Sequence, residues 1–158
     1  MAGVKKKAGS GIGGLDEILA GGYSAGNVFL IEGEPGAGKT TVALQFLIEG
    51  AAKGECCLYV TLSETADELR NGAASHGWAL DPLIEIFELL PPENLLDENQ
   101  QQSLLYSSDL ELGETTKQIF DRVERMKPQR VVIDSLSEIR LLAQSSLRYR
   151  RQILALKQ

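Results

Sequence analysis

The sequence predicts an α/β domain, a mainly parallel sheet with helices on both faces. Three observations predict it. Short runs rich in β-branched and aromatic residues alternate with stretches of helical period, the order that builds strand-helix-strand units. A glycine-rich turn joins the first such run to the first long helix. The composition is that of a soluble core-forming chain: 158 residues, 43% hydrophobic and 24% charged. A chain of this size buries roughly two-thirds of the surface its unfolded form exposes, so one core needs no disulfide or structural metal.

The elements follow in order. Residues 1–26 read as a Gly-rich lead-in, with Ile12, Leu15, Ile18 and Leu19 spaced for one or two helical turns, and residues 27–158 as the core of a single domain. Val28 to Glu32 is an apolar run bounded by glycines and fits a buried strand. From Thr40 the period is helical, with Val42, Ala43, Phe46, Leu47 and Ala51 on one face and Lys53-Gly54 as the stop signal. Leu58 to Leu62 is a second strand, and a helix carrying Leu69 and Ala73 follows until Gly77. Leu83 to Leu90 holds a third, weaker strand, and Pro91-Pro92 then bars a helix start for a few residues. Residues 93–112 give no clear pattern. Glu114 to Lys127 reads as a helix with Ile119, Val123 and Met126 on one side, stopped by Pro128. Val131 to Asp134 is the most strand-like run, and Ser135 to Gln158 is helical with a break at Gln144-Ser145-Ser146.

Charge and cysteine content exclude several classes. Sixteen Lys and Arg against twenty-two Asp and Glu give a net charge of -6, the wrong sign for a surface that neutralises nucleic-acid phosphates. DNA is therefore not an expected partner. No apolar run approaches the roughly 20 residues that span a bilayer, and the start lacks the apolar stretch of a signal peptide, so the cytoplasm is the expected compartment. The two cysteines, Cys56 and Cys57, are adjacent and read as small buried hydrophobes rather than a metal or redox pair.

The chemistry sits in the loop. Gly33-Glu34-Pro35-Gly36-Ala37-Gly38-Lys39-Thr40 fits G-x-x-x-x-G-K-[ST] in full, the Walker A pattern, and lies between a strand-like run and a helix. Its glycines let successive N–H groups curl toward phosphate oxygens, and the helix start adds its positive end. Lys39 is the counter-charge for the β- and γ-phosphates, Thr40 supplies a hydroxyl to Mg²⁺, and Thr41 completes the binding stretch. ATP or ADP with Mg²⁺ is the expected ligand. Asp134, closing an apolar strand, is placed to hold the metal opposite Thr40; it can also cap the helix that follows. Glu64, just past the second strand at the carboxyl edge of the sheet, can orient the attacking water as a general base. Its competing reading is a first-turn acid on the next helix.

These residues resemble a known family. Gly11-Ile12-Gly13-Gly14-Leu15-Asp16-Glu17-Ile18-Leu19 with Gly21-Gly22, the phosphate loop, Tyr59-Val60-Thr61-Leu62-Ser63-Glu64-Thr65 and Arg130-Val131-Val132-Ile133-Asp134-Ser135 are similar to the RecA-like ATPases of the KaiC type. The resemblance implies a RecA-like P-loop fold and Mg-dependent ATP hydrolysis. It also implies a homo-oligomer, a hexameric ring with ATP between neighbours, and in some members phosphorylation of their own Ser or Thr. Glu64 corresponds to the second member of a Glu-Glu pair and Asp134 to the metal-site aspartate; Ser63 stands where the first glutamate would be. The resemblance further implies strands beyond Gln158, one of them inserted between the phosphate-loop strand and the Asp134 strand, so the domain at 1–158 is expected to be C-terminally incomplete. The leading functional reading is an ATPase module of a regulatory protein acting on an unknown protein partner. The alternatives are a nucleotide-binding scaffold with little turnover, which Ser63 favours, and a RecA-type DNA motor.

Overall fold

The structure, a computed structural model, describes residues 6–89 and 104–156. The lead-in folds back on itself. Strand β1 (Lys7–Ala8) pairs antiparallel with β2 (Tyr23–Ser24), and the short helix α1 (Gly13–Ile18) lies between them. Gly22 makes this possible: at φ +114 a Cβ there would stand 2.3 Å from the Ala8 carbonyl oxygen, so only glycine lets the two segments approach. Ser10 N–H donates to Asp16 Oδ1 at 2.7 Å and fixes the turn into α1.

The core is a three-stranded sheet in the order β4-β3-β5, with β3 (Cys57–Thr61) at its centre and β4 (Ile84–Glu88) and β5 (Arg130–Asp134) parallel on either side. Every residue of β3 is buried. Side chains alternate across the sheet, so Cys57 and Tyr59 meet one layer, formed by α2 (Lys39–Ala52) and α3 (Ala66–Ser75). Leu58 and Val60 meet the other, formed by α4 (Leu104–Met126) and α5 (Leu136–Ala143), with α6 (Ser146–Ala155) beside them. The parallel sheet with helices on both faces is as the sequence predicts.

Most elements match their expected spans. The helix α2 stops at Lys53 with Gly54 at φ +77. The α3 helix buries Leu69 and Ala73, and Gln144 at φ 53 followed by the Ser145 cap divides α5 from α6. The helix expected from Glu114 begins ten residues earlier, at Leu104. The Pro91-Pro92 break lies outside the described residues. On α2 the inward residues are Leu44 and Leu47 with Gly50 and Ala51, so Leu44 joins the expected face.

One expectation is overturned. Val28 to Glu32 is not a strand: it pairs with nothing in the described residues, and Val28 and Leu30 are 61% and 64% exposed. Its apolar pattern is that of a buried central strand, but such a run becomes a strand only when neighbours satisfy its backbone groups. The outer edge of β5 is likewise unpaired among the described residues. The described residues supply no strand between the two. Tyr23 still packs on Phe29, with ring centroids 4.7 Å apart.

The lead-in is tied to the core by Arg130, the first residue of β5, which is only 3% exposed. Its guanidinium donates to Glu55 Oε2 at 2.5 Å and to the carbonyl oxygens of Gly9 and Phe46 at 2.6 and 2.7 Å, and lies 4.6 Å from the centroid of the Phe46 ring. Glycine at position 50 leaves room for it. A Cβ there would come within 2.5 Å of Arg130 Cδ and Nε, which accounts for a glycine inside α2 despite a helix cost of about 1 kcal/mol relative to Ala. Replacing Arg130 by Met leaves Glu55 unpaired and two carbonyls without their donor. The expected loss is about 2 to 3 kcal/mol, below the range for a fully buried pair because Glu55 is partly exposed, or a fall of roughly 4 to 12 °C in Tm for a chain of this size. Thermal unfolding followed by circular dichroism measures it, and an unchanged midpoint would show that this cluster does not hold the lead-in in place.

Candidate functional site

The phosphate loop runs into α2 with Gly38 at its N-cap, φ 89, a left-handed backbone in which glycine is unstrained; Gly36 has φ 80. A turn closes the loop where Ala37 N–H donates to the Glu34 carbonyl at 3.1 Å. The first turn of α2 has no side-chain cap and no acidic residue, so its N–H groups are available to an anion. An open cleft of about 250 Å³ is lined by Gly36, Gly38, Lys39, Thr40 and Thr41. Gly33, Glu34 and Pro35 form the loop's exposed entrance. The Lys39 ammonium folds back and donates to the carbonyl oxygens of Gly33 and Glu34, at 2.9 and 3.0 Å, which keeps the cation on the loop.

Asp134 faces this loop from the end of β5. Thr40 Oγ1 donates to Asp134 Oδ2 at 2.9 Å across 94 positions of sequence. The helix-cap alternative for Asp134 does not hold. Ser135 is the N-cap of α5, its hydroxyl accepting from Ser137 N–H, while Asp134 points away to Thr40. The peptide between Asp134 and Ser135 is cis. Tyr59, fully buried in the middle of β3, donates its hydroxyl to the same Asp134 Oδ2 at 2.5 Å. Burial, and then the Asp134 carboxylate, push the Tyr59 phenol far above its ordinary value, so it stays a donor.

Glu64 stands just beyond β3, half-buried. Its backbone is clamped by Thr61: the Thr61 hydroxyl accepts from Glu64 N–H at 3.0 Å and donates to the Glu64 carbonyl at 2.7 Å. Thr61 is the ladder partner of Asp134, so the clamp sets Glu64 at the level of the metal-site candidate. Burial raises the Glu64 pKa above the ordinary carboxylate value, with the Asp134 charge adding to the effect. The first-turn reading of Glu64 fails on local geometry. Helix α3 is capped by Thr65 and Glu68, which exchange a full capping box, and its first-turn acids are Asp67 and Glu68; Glu64 precedes the cap.

The structure thus brings Thr40 and Asp134 together, with Lys39 beside Thr40 in the cleft lining and the Asp134 charge acting on Glu64. A hydroxyl and a carboxylate 2.9 Å apart, at the start of α2, suit a hard, oxygen-ligated cation such as Mg²⁺. Arg148, Arg150 and Arg151 on α6 are exposed, and Cys57 is a free buried thiol whose pKa burial pushes up to about 11. Among the described residues no cluster of His, Cys, Asp and Glu forms a second metal centre, and no helix is long and apolar enough to cross a membrane. Sequence reasoning missed Tyr59 and Thr61, whose roles lie in hydrogen bonds across the sheet.

A parallel α/β sheet with a Walker A loop opening its first long helix defines a RecA-like P-loop nucleotide-binding domain. The chain belongs to the KaiC ATPase family, whose pattern it matches over residues 8–158. It is 33% identical over 141 residues to the circadian clock oscillator protein KaiC of Parathermosynechococcus lividus, which covers 88% of this chain and 25% of that protein. It is 32% identical over 134 residues to a UPF0273 protein of Pyrococcus horikoshii, covering 82% of this chain and 54% of that protein. A UPF0273 protein of Pyrococcus furiosus is 45% identical over 69 residues, covering 44% of this chain and 28% of that protein. The chain therefore spans a quarter of the KaiC protein and about half of the first UPF0273 protein. It is a nucleotide-binding module of the KaiC-like type.

Replacing Lys39 by Ala removes the ammonium expected to meet phosphate, a charge-assisted contact worth about 1.5 to 3 kcal/mol, so nucleotide affinity is expected to fall at least tenfold. Titration with a fluorescent ATP analogue reads this directly. Equal affinity in wild type and variant would remove Lys39 from the site.

Proposed function

We propose that this chain binds Mg·ATP between the Gly33–Thr41 loop and Asp134 and hydrolyses it, acting as the ATPase module of a KaiC-like regulatory protein. The observation that carries the reading is the Thr40–Asp134 hydrogen bond, 2.9 Å long, which sets a hydroxyl and a carboxylate that could serve a metal face to face. Thr40 and Asp134 would hold Mg²⁺ there, and the ion would supply positive charge to offset the charge that develops as the terminal bond breaks. The chain's own groups do the rest. The N–H groups of Gly36 to Thr41 cradle phosphate oxygens, and Lys39 leaves its two loop carbonyls for the β- and γ-phosphates. Glu64 orients a water and accepts its proton while the water oxygen bonds to the γ-phosphorus. The bond from that phosphorus to the β,γ-bridging oxygen breaks, and its electron pair leaves with ADP. A raised pKa suits a base that must gain a proton.

The family resemblance supports assembly of this module into a homo-oligomeric ring with nucleotide between neighbours, in the cytoplasm and with a protein partner whose identity the chain does not specify. A second reading, nucleotide binding with little turnover, is favoured by Ser63: it is exposed at the place where the resemblance puts the first glutamate of the pair.

Two substitutions test the proposal. Asp134→Asn keeps the shape of the side chain but loses the charge a metal needs, so Mg²⁺-dependent phosphate release should collapse while the melting temperature stays near that of wild type. An early-melting variant with full specific activity would contradict the metal role. Glu64→Gln should bind ATP normally and slow single-turnover hydrolysis by roughly a hundredfold, within the range for losing a general base. Turnover near wild type in that variant would move the base elsewhere, and wild-type protein that binds ATP without turning it over would favour the scaffold reading.

A further inference from the structure

We propose that Tyr59 is a positioning residue for the metal site, its buried hydroxyl holding the Asp134 carboxylate in the orientation that meets Thr40. This rests on the reading of Thr40 and Asp134 as the metal-side pair. Asp134 is the last residue of β5, and beyond it the chain turns into α5, so the strand alone fixes its Cα but not its carboxylate. A carboxylate there can rotate about two side-chain bonds. What stops it is Oδ2, which accepts from Tyr59 Oη at 2.5 Å on one side and from Thr40 Oγ1 at 2.9 Å on the other.

The sheet register makes the contact possible. Tyr59 pairs with Val132, and Thr61 with Asp134, in the parallel ladder. Tyr59, Thr61, Val132 and Asp134 therefore project to one face, the one covered by α2, and the Tyr59 ring is just long enough to carry a hydroxyl one step along the strand to the acid. Tyr59 sits among Leu44, Leu47, Cys57 and Leu69, none of which offers a side-chain oxygen or nitrogen, and its hydroxyl meets only the Asp134 carboxylate and the Thr40 hydroxyl among the described side chains. Phenylalanine would fill that space equally well, so packing does not account for the hydroxyl. Partners that orient metal-site ligands in this way typically carry a tenfold to hundredfold share of metal affinity.

The test uses Tyr59→Phe, which removes one oxygen and keeps the ring. Free Mn²⁺ is measured by electron paramagnetic resonance during titration of wild type and variant in the presence of ADP, and ADP binding is measured separately with EDTA. Wild type should hold Mn²⁺ at the nucleotide, and the variant should hold it about tenfold or more weakly, with metal-free ADP affinity unchanged within about twofold. Equal Mn²⁺ affinity would overturn the proposal, as would an equal loss in metal-free ADP affinity, which would make the hydroxyl a general support of the loop. Failure of the wild-type protein to bind Mn²⁺ with ADP would instead overturn the metal-site reading beneath it. A second measurement needs no variant: in wild type carrying ¹³C-labelled tyrosine and saturated with ADP, the Tyr59 ring resonances should move with the same midpoint as Mg²⁺ binding. Resonances that stay still through that titration would overturn the proposal independently.

Discussion

Oδ2 of Asp134 accepts two hydroxyl hydrogen bonds, from Tyr59 and from Thr40, and through them three elements that are remote in sequence meet at one point. The central strand β3, its neighbour β5 and the N-terminus of α2 are held at a common level by this oxygen. Buried polar groups cost free energy unless satisfied, and here each satisfies another. The glycine loop cannot supply this alignment itself, because it is exposed and the run leading into it is not laddered to the sheet. Its position over the sheet depends on α2, whose first turn is fastened to Asp134 and whose later turns pack against β3 through Leu44 and Leu47.

Arg130 does the corresponding work at the opposite end of β5. Asp134 lies four positions further on, so one strand carries a cation at its start and an acid at its finish, both facing α2. Arg130 reaches the Phe46 carbonyl in the middle of that helix and the Gly9 carbonyl in the lead-in. Helix α2 is thus pinned to β5 at two places about two turns apart, which fixes its rotation as well as its distance. That is the rigidity a phosphate site needs, since binding geometry is lost over displacements of about 1 Å.

Much of this was legible in the sequence, for identifiable reasons. The Walker A spacing names Lys39 and Thr40 outright, and an acid closing the most apolar strand names Asp134, because both are local patterns. Whether Asp134 caps a helix or faces the loop was not legible, since Asp134 and Ser135 are both good caps; the structure gives the cap to Ser135. The same holds for Glu64 beside Thr65. Val28 to Glu32 misled because hydrophobic pattern reports burial in a sheet whose neighbours the pattern cannot name. Tyr59 and Thr61 were missed since their partners are fixed by register, which no single strand encodes. A signal existed: a hydroxyl-bearing ring inside an otherwise apolar buried run, two residues before a threonine.

The loop and the end of β5 form a single site. Amide NMR of the ¹⁵N-labelled chain tests this directly, with ADP added first and Mg²⁺ second. The account predicts that ADP alone shifts the amides of Gly36 to Thr41, and that Mg²⁺ then shifts Asp134 together with Thr40. Loop shifts with ADP but an Asp134 amide that stays still when Mg²⁺ is added would contradict it.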